Sequence, residues 1–149
     1  MKSKRISIKS FILVSVQFIC IYLLFHLTPV ASVNIFSILL IACGSFIGVW
    51  AVYSMRKSTL SIIPEVSQVA ILITDGPYHY LRHPMYTSVL LLCLGLLITN
   101  MTLLKAVIYV ILICDLIVKL QYEESMLMSR FESYKSYAKK TWRIIPYLY

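Results

Sequence analysis

Four apolar segments dominate the chain, at residues 11–27, 35–55, 85–99 and 103–118. A helix rises about 1.5 Å per residue, so about 20 residues cross a hydrocarbon layer of roughly 30 Å. The first two segments reach that length with their flanks. The third and fourth are shorter, and only Asn100, Met101 and Thr102 separate them. They are expected to form a tight helical hairpin whose helices run beyond the apolar stretch. Hydrophobic residues make up 60% of the 149 and charged residues 13%. A soluble chain of this size could not cover that much apolar surface, so lipid must cover much of it. That excludes a secreted disulfide domain, a disordered tail and an ordinary cytosolic enzyme. The expected fold is all-α, a single polytopic membrane domain over 1–149 with about four transmembrane helices. Two lie in 1–57, and 58–149 forms a core with a cytoplasmic loop and a C-terminal helix.

Charge orients these spans. With four crossings, both termini and the middle loop share one side, which holds every Lys and Arg except Lys105, thirteen of fourteen. The positive-inside rule makes that side cytoplasmic. It also accounts for the net charge of +8 without nucleic acid. Lys2, Lys4, Arg5 and Lys9 before the first apolar run resemble the start of a signal peptide, but the spans that follow favour a retained helix. Cys20, Cys43, Cys93 and Cys114 all lie inside apolar runs and form no CxxC pair. No Cys/His cluster has zinc spacing, so no metal site is expected. Lys105 is expected to snorkel outward, and Asp115 to pair with Lys119 one turn later.

Two cytoplasmic pieces carry chemistry. The connection 56–84 ends in an Asp75-Gly76-Pro77 turn signal and then a polar, aromatic run. Tyr78, His79, Tyr80, Arg82, His83 and Tyr86 all fall within residues 78–86, denser than an interfacial belt requires. Pro84 stands where a helix-starting proline would. Beyond the fourth span, Asp115, Lys119, Glu123 and Leu127 share one helix face. Glu123 and Glu124 diverge by about 100°, so only one can enter a given pocket while the other pairs, caps or faces water. Glu123 and Lys119 make either a plain ion pair or a pocket floor for a ligand carrying both an ammonium and a carboxylate. Phe131, Tyr134 and Tyr137, with Lys135, Lys139, Lys140 and Arg143, read as an interfacial helix over anionic lipid. There is no GxGxxG, P-loop, HExxH or nucleophile elbow.

The stretch from Leu72 to Tyr86 resembles the LVTxGPYxxxRHPxY signature of the isoprenylcysteine carboxyl methyltransferases and the related phospholipid methyltransferases. Glu123, Glu124, Leu127, Phe131, Tyr134, Tyr137, Thr141, Arg143 and Pro146 resemble the C-terminal half of the same enzymes. The likeness implies a membrane methyltransferase that uses S-adenosyl-L-methionine in a cytoplasmic pocket. By that likeness Ala70, Ile71, Leu72 and Ile73 line the adenosine. Tyr78, His83, Pro84, Met85 and Tyr86 wrap the sugar and methionine. Glu123 holds the cofactor's ammonium with Glu124 in support. Lys119 faces the acceptor carboxylate, with Arg82 and Arg143 on the substrate side; Lys119, Glu123 and Glu124 form the catalytic group. Ser88 replaces a glycine usual in the family, Trp142 a proline, and Lys119 an arginine. The acceptor implied is a lipid or prenylated molecule, with carboxyl O-methylation of an isoprenylcysteine first and phospholipid-amine N-methylation as the alternative. Rival classes are a sterol-reductase-like NADPH enzyme and a non-enzymatic four-helix carrier.

Overall fold

A computed structural model describes residues 8–29, 33–56 and 72–147. All its regular elements are helical: α1 (Ile8–His26), α2 (Ile35–Met55), a 3-10 turn (Gly76–His79), α3 (Pro84–Thr99), α4 (Leu103–Arg130) and α5 (Tyr134–Ala138). Helices α1 and α2 are long and apolar enough to cross a membrane. Helix α3 is apolar but only 16 residues long. Helix α4 has 28 residues, about 42 Å at 1.5 Å per residue, and carries the expected hairpin partner far past its apolar half.

Local chemistry sets the boundaries. The Asn34 side chain caps α2 by accepting from the Ser37 amide at 3.0 Å. Pro84 opens α3, where its missing N–H costs nothing. Thr102 caps α4 through the Lys105 amide, so the hairpin turn is the expected three residues. Gly76 takes φ +62°, and a Cβ there would strike Ser54 and Trp50 of α2. Glycine therefore lets the 3-10 turn sit directly on the end of α2.

Helix α2 packs chiefly on α3, and α1 chiefly on α4. The first seam is built from small residues. A Cβ on Gly44 would come within 3.0 Å of Leu92 and of the Ser88 carbonyl oxygen, and one on Gly95 would crowd Ile41. Ser88 donates its hydroxyl to the Gly44 carbonyl at 2.7 Å, which ties α3 to α2. The core gathers where α1, α3 and α4 meet: Cys20, Leu24, Tyr86, Cys93, Leu112, Leu116 and Leu120. Phe11, Phe18, Phe25, Phe36, Phe46 and Val49 point outward, as helices bathed in lipid would present them.

Two expectations are corrected. Lys105 does not snorkel: it is 1% exposed, and its ammonium donates to Thr28 Oγ1 at 3.0 Å and to the Leu96 carbonyl at 2.6 Å. Those oxygens clasp the ends of α1 and α3, a better bargain for a buried cation than reaching water. The C-terminal stretch is not one interfacial helix either. The chain leaves α4 at Phe131, makes the five-residue α5, and returns as an irregular strap of turns and bends. There Leu81 and Trp142 form a parallel bridge, with Arg82 N donating to Trp142 O at 2.7 Å and His83 N to Arg143 O at 3.0 Å.

Candidate functional site

The strap, the 78–83 loop, the start of α3 and the last turns of α4 meet in one polar cluster. Glu124 is its hub, 3% exposed. One carboxylate oxygen accepts from Arg82 Nε at 2.7 Å, and the other from Arg143 Nε at 3.0 Å. Tyr134 OH lies 3.4 Å from the first oxygen and His83 Nε2 3.7 Å. Burial works against ionising this carboxyl, but His83, Arg143 and Arg82 outweigh it and bring its pKa down to about 2. Arg82 also donates to the carbonyls of Ala138 and Thr141. These bonds tie the loop, α4 and the strap together. Both guanidinium groups, which the resemblance sets on the substrate side, close on Glu124. Glu124 is likewise engaged within the protein, the pairing role open to one of two adjacent glutamates.

Glu123 takes the other direction. Its side chain is 21% exposed. It accepts from Tyr86 OH at 2.6 Å, and its second oxygen lies 3.5 Å from His83 Nδ1. The His83 ring stacks on Tyr86 with centroids 5.3 Å apart. His83 thus sits between two carboxylates. Burial opposes its charge, yet Glu123 and Glu124 raise its pKa above the usual imidazole value. Tyr78 is buried nearby, its carbonyl receiving the Tyr137 hydroxyl at 2.6 Å. Burial first, then the charges of Tyr137 and Glu123, push the Tyr78 phenol well above its usual range.

Lys119 lies one turn deeper and is 2% exposed. Its ammonium donates to Gln17 Oε1 of α1 at 2.8 Å and stands 5.3 Å from the centre of the Tyr86 ring. The expected Asp115–Lys119 pair does not form: Asp115 Oδ2 is buried with no hydrogen-bond partner. Pro84 is buried, and Met85, Leu72 and Ile73 are half-buried. Ala70 and Ile71 lie outside the described residues. Sequence reasoning missed Gln17, although a lone amide in an apolar span is itself a signal. Below the cluster an apolar groove of about 330 Å³ runs between α3 and α4, walled by Leu90, Leu91, Leu94, Ile113 and Ile117.

Among the described residues no His, Cys, Asp and Glu group could hold a metal ion. A helical fold with two apolar helices long enough to cross a membrane, their large side chains turned outward, and a polar floor around an oriented carboxylate defines a membrane-associated class of protein. The phospholipid methyltransferase family model matches residues 33–134. The chain belongs to that family, and so is a membrane-associated methyltransferase. A search of curated proteins finds no match. The matched region contains Arg82, His83, Tyr86, Lys119, Glu123 and Glu124, but neither Gln17 nor Arg143.

Proposed function

We propose that the protein transfers a methyl group from S-adenosyl-L-methionine to a lipid or prenylated acceptor at the cytoplasmic membrane face. The observation that carries this reading is the contrast between the two glutamates. Glu124 is enclosed by arginines, while Glu123 is partly open and fixed by Tyr86 and His83. A carboxylate so held fits the cofactor's ammonium by a charge-assisted hydrogen bond. Tyr78, His83, Pro84, Met85 and Tyr86 would surround the rest of it, with Leu72 and Ile73 beside the adenosine. When bound, the cofactor supplies an electrophilic methyl group on sulfur. The protein's part is to hold Glu123 in place, exclude water and align the acceptor.

Four crossings with both termini inside complete the reading, since the basic residues gather on one side. The soluble cofactor then enters from the cytosol and the acceptor from the bilayer, its chain along the apolar α3–α4 groove. For the acceptor group, Lys119 favours a carboxylate such as that of an isoprenylcysteine. The family match favours a phospholipid, whose amine is the alternative acceptor. Titration calorimetry with S-adenosylhomocysteine, and separately with NADPH, tests the cofactor. Binding of the first alone is expected. Binding of NADPH alone would overturn the reading in favour of a reductase.

A further inference from the structure

The C-terminal strap has two sides. The inner side grips the polar cluster. Arg143 reaches Glu124, the carbonyls of Ala138 and Thr141 take the Arg82 guanidinium, and Tyr137 OH donates to the Tyr78 carbonyl. The outer side is basic and faces away from the protein. Lys135, Lys139 and Lys140 are exposed and make no ion pair among the described residues. Glu132 is the one acid in residues 131–147. Beside these lysines Ile145 is 46% exposed and Tyr147 87%, and the Tyr147 ring centre lies 4.6 Å from that of Trp142. Contacts with α3 set the depth of the strap. Thr87, in the first turn of α3, donates to the Ile144 carbonyl at 2.7 Å. Ile144 and Ile145 belong to the wall of the apolar α3–α4 groove. The strap therefore lies where the apolar surface ends and the polar cluster begins, the depth of lipid headgroups.

We propose that Lys135, Lys139 and Lys140, with Ile145 and Tyr147 beside them, dock on anionic phospholipid headgroups of the surrounding membrane, and that this contact holds the strap closed over the Glu124 hub. Charge selects the headgroup: three solvated ammonium groups face a leaflet whose negative lipids attract each of them. The apolar neighbours select a membrane over a soluble anion, because Ile145 and Tyr147 lose water only against lipid. Sequence order couples the two sides. Lys139 and Lys140 fill the gap between Ala138 and Thr141, so phosphates held there restrain the two carbonyls that fix Arg82. Arg143 O receives the His83 amide at 3.0 Å, and His83 Nδ1 stands 3.5 Å from Glu123. A released strap would free His83 and with it the orientation of Glu123. The lipid contact is independent of the methyltransferase reading, and its consequence for the cofactor rests on that reading.

The test places the full chain in nanodiscs of phosphatidylcholine, alone or mixed with phosphatidylglycerol. Hydrogen–deuterium exchange reads the strap through the Arg82, His83 and Trp142 amides, which are bonded across the Leu81–Trp142 bridge. Phosphatidylglycerol should slow their exchange by about fivefold per docked lysine, on the order of a hundredfold for three. High salt should remove the effect. Lys135→Gln, Lys139→Gln and Lys140→Gln together should abolish the response, and Lys135→Arg, Lys139→Arg and Lys140→Arg together should keep it. Equal exchange in the two lipids, or a glutamine variant that responds like wild type, overturns the proposal. S-adenosylhomocysteine affinity should follow the strap, tightening by at least about fivefold with phosphatidylglycerol in the wild type and staying constant in the glutamine variant. Slower exchange with equal affinity in both lipids overturns the closure over the hub. Slower exchange in a protein that binds no S-adenosylhomocysteine in either lipid refutes the methyltransferase reading and leaves the lipid contact standing.

Discussion

Replacing Glu124 by glutamine removes one charge from the middle of the molecule and changes almost nothing in size. The structure sets the cost. The Glu124 and Arg82 side chains are 4% and 10% exposed, so the Arg82 guanidinium would keep its charge with little water to replace its partner. Removing one member of such a buried pair costs about 3–5 kcal/mol. Arg143 is 33% exposed and adds little after solvent screening. Glutamine keeps one acceptor oxygen, which favours the lower end, about 3 kcal/mol. At about 2–4 °C per kcal/mol for a chain of this size, Tm should fall by about 6–12 °C. Thermal unfolding of the detergent-purified protein, followed by tryptophan fluorescence, reads this through Trp142 on the strap. Glu123→Gln is the control: its amide oxygen still accepts from Tyr86, so Tm should move by less than about 3 °C. Equal stability of Glu124→Gln and wild type would refute the hub.

Other outcomes follow from the same contacts. Glu123→Gln should weaken S-adenosylhomocysteine binding on the order of tenfold to a hundredfold by calorimetry, and unchanged affinity would remove Glu123 from the cofactor site. Glu124, with its pKa lowered to about 2, stabilises the fold fully above the ordinary carboxylate range and loses that contribution as pH falls toward 2. His83 behaves oppositely: its raised pKa gives a contribution fully present below the ordinary imidazole value of 6.5 and lost as pH rises through the folded value. Unfolding scans should therefore show an alkaline decline that His83→Gln flattens. A Cβ on Gly48 would meet the Ser88 hydroxyl, so Gly48→Ala should cost about 1–3 kcal/mol, and adding Ser88→Gly should recover part of it in the same unfolding assay. Impermeant thiol labelling from outside should reach a cysteine placed at Asn100 and miss one at Tyr80; the reverse pattern would invert the topology.

Much of this protein was legible from short-range rules. Apolar run lengths marked α1 and α2, Pro84 opened α3, and three polar-tolerant residues made the hairpin turn, because helices and turns depend on neighbours within a few positions. The 100° step between Glu123 and Glu124 also foretold that they would part company. Which one would be enclosed was decided in three dimensions. Arg82 and Arg143 lie 42 and 19 residues from Glu124 along the chain, and the 78–83 loop and the returning strap bring them to the same carboxylate. Lys119 and Asp115 show the limit most clearly. Their i,i+4 spacing allows an ion pair, and a helix alone would offer nothing better. Gln17, 102 residues from Lys119, supplies a buried acceptor across the α1–α4 seam and takes the ammonium instead. A contact between distant segments has no local pattern, so only the packing of α1 on α4 could determine where that charge points.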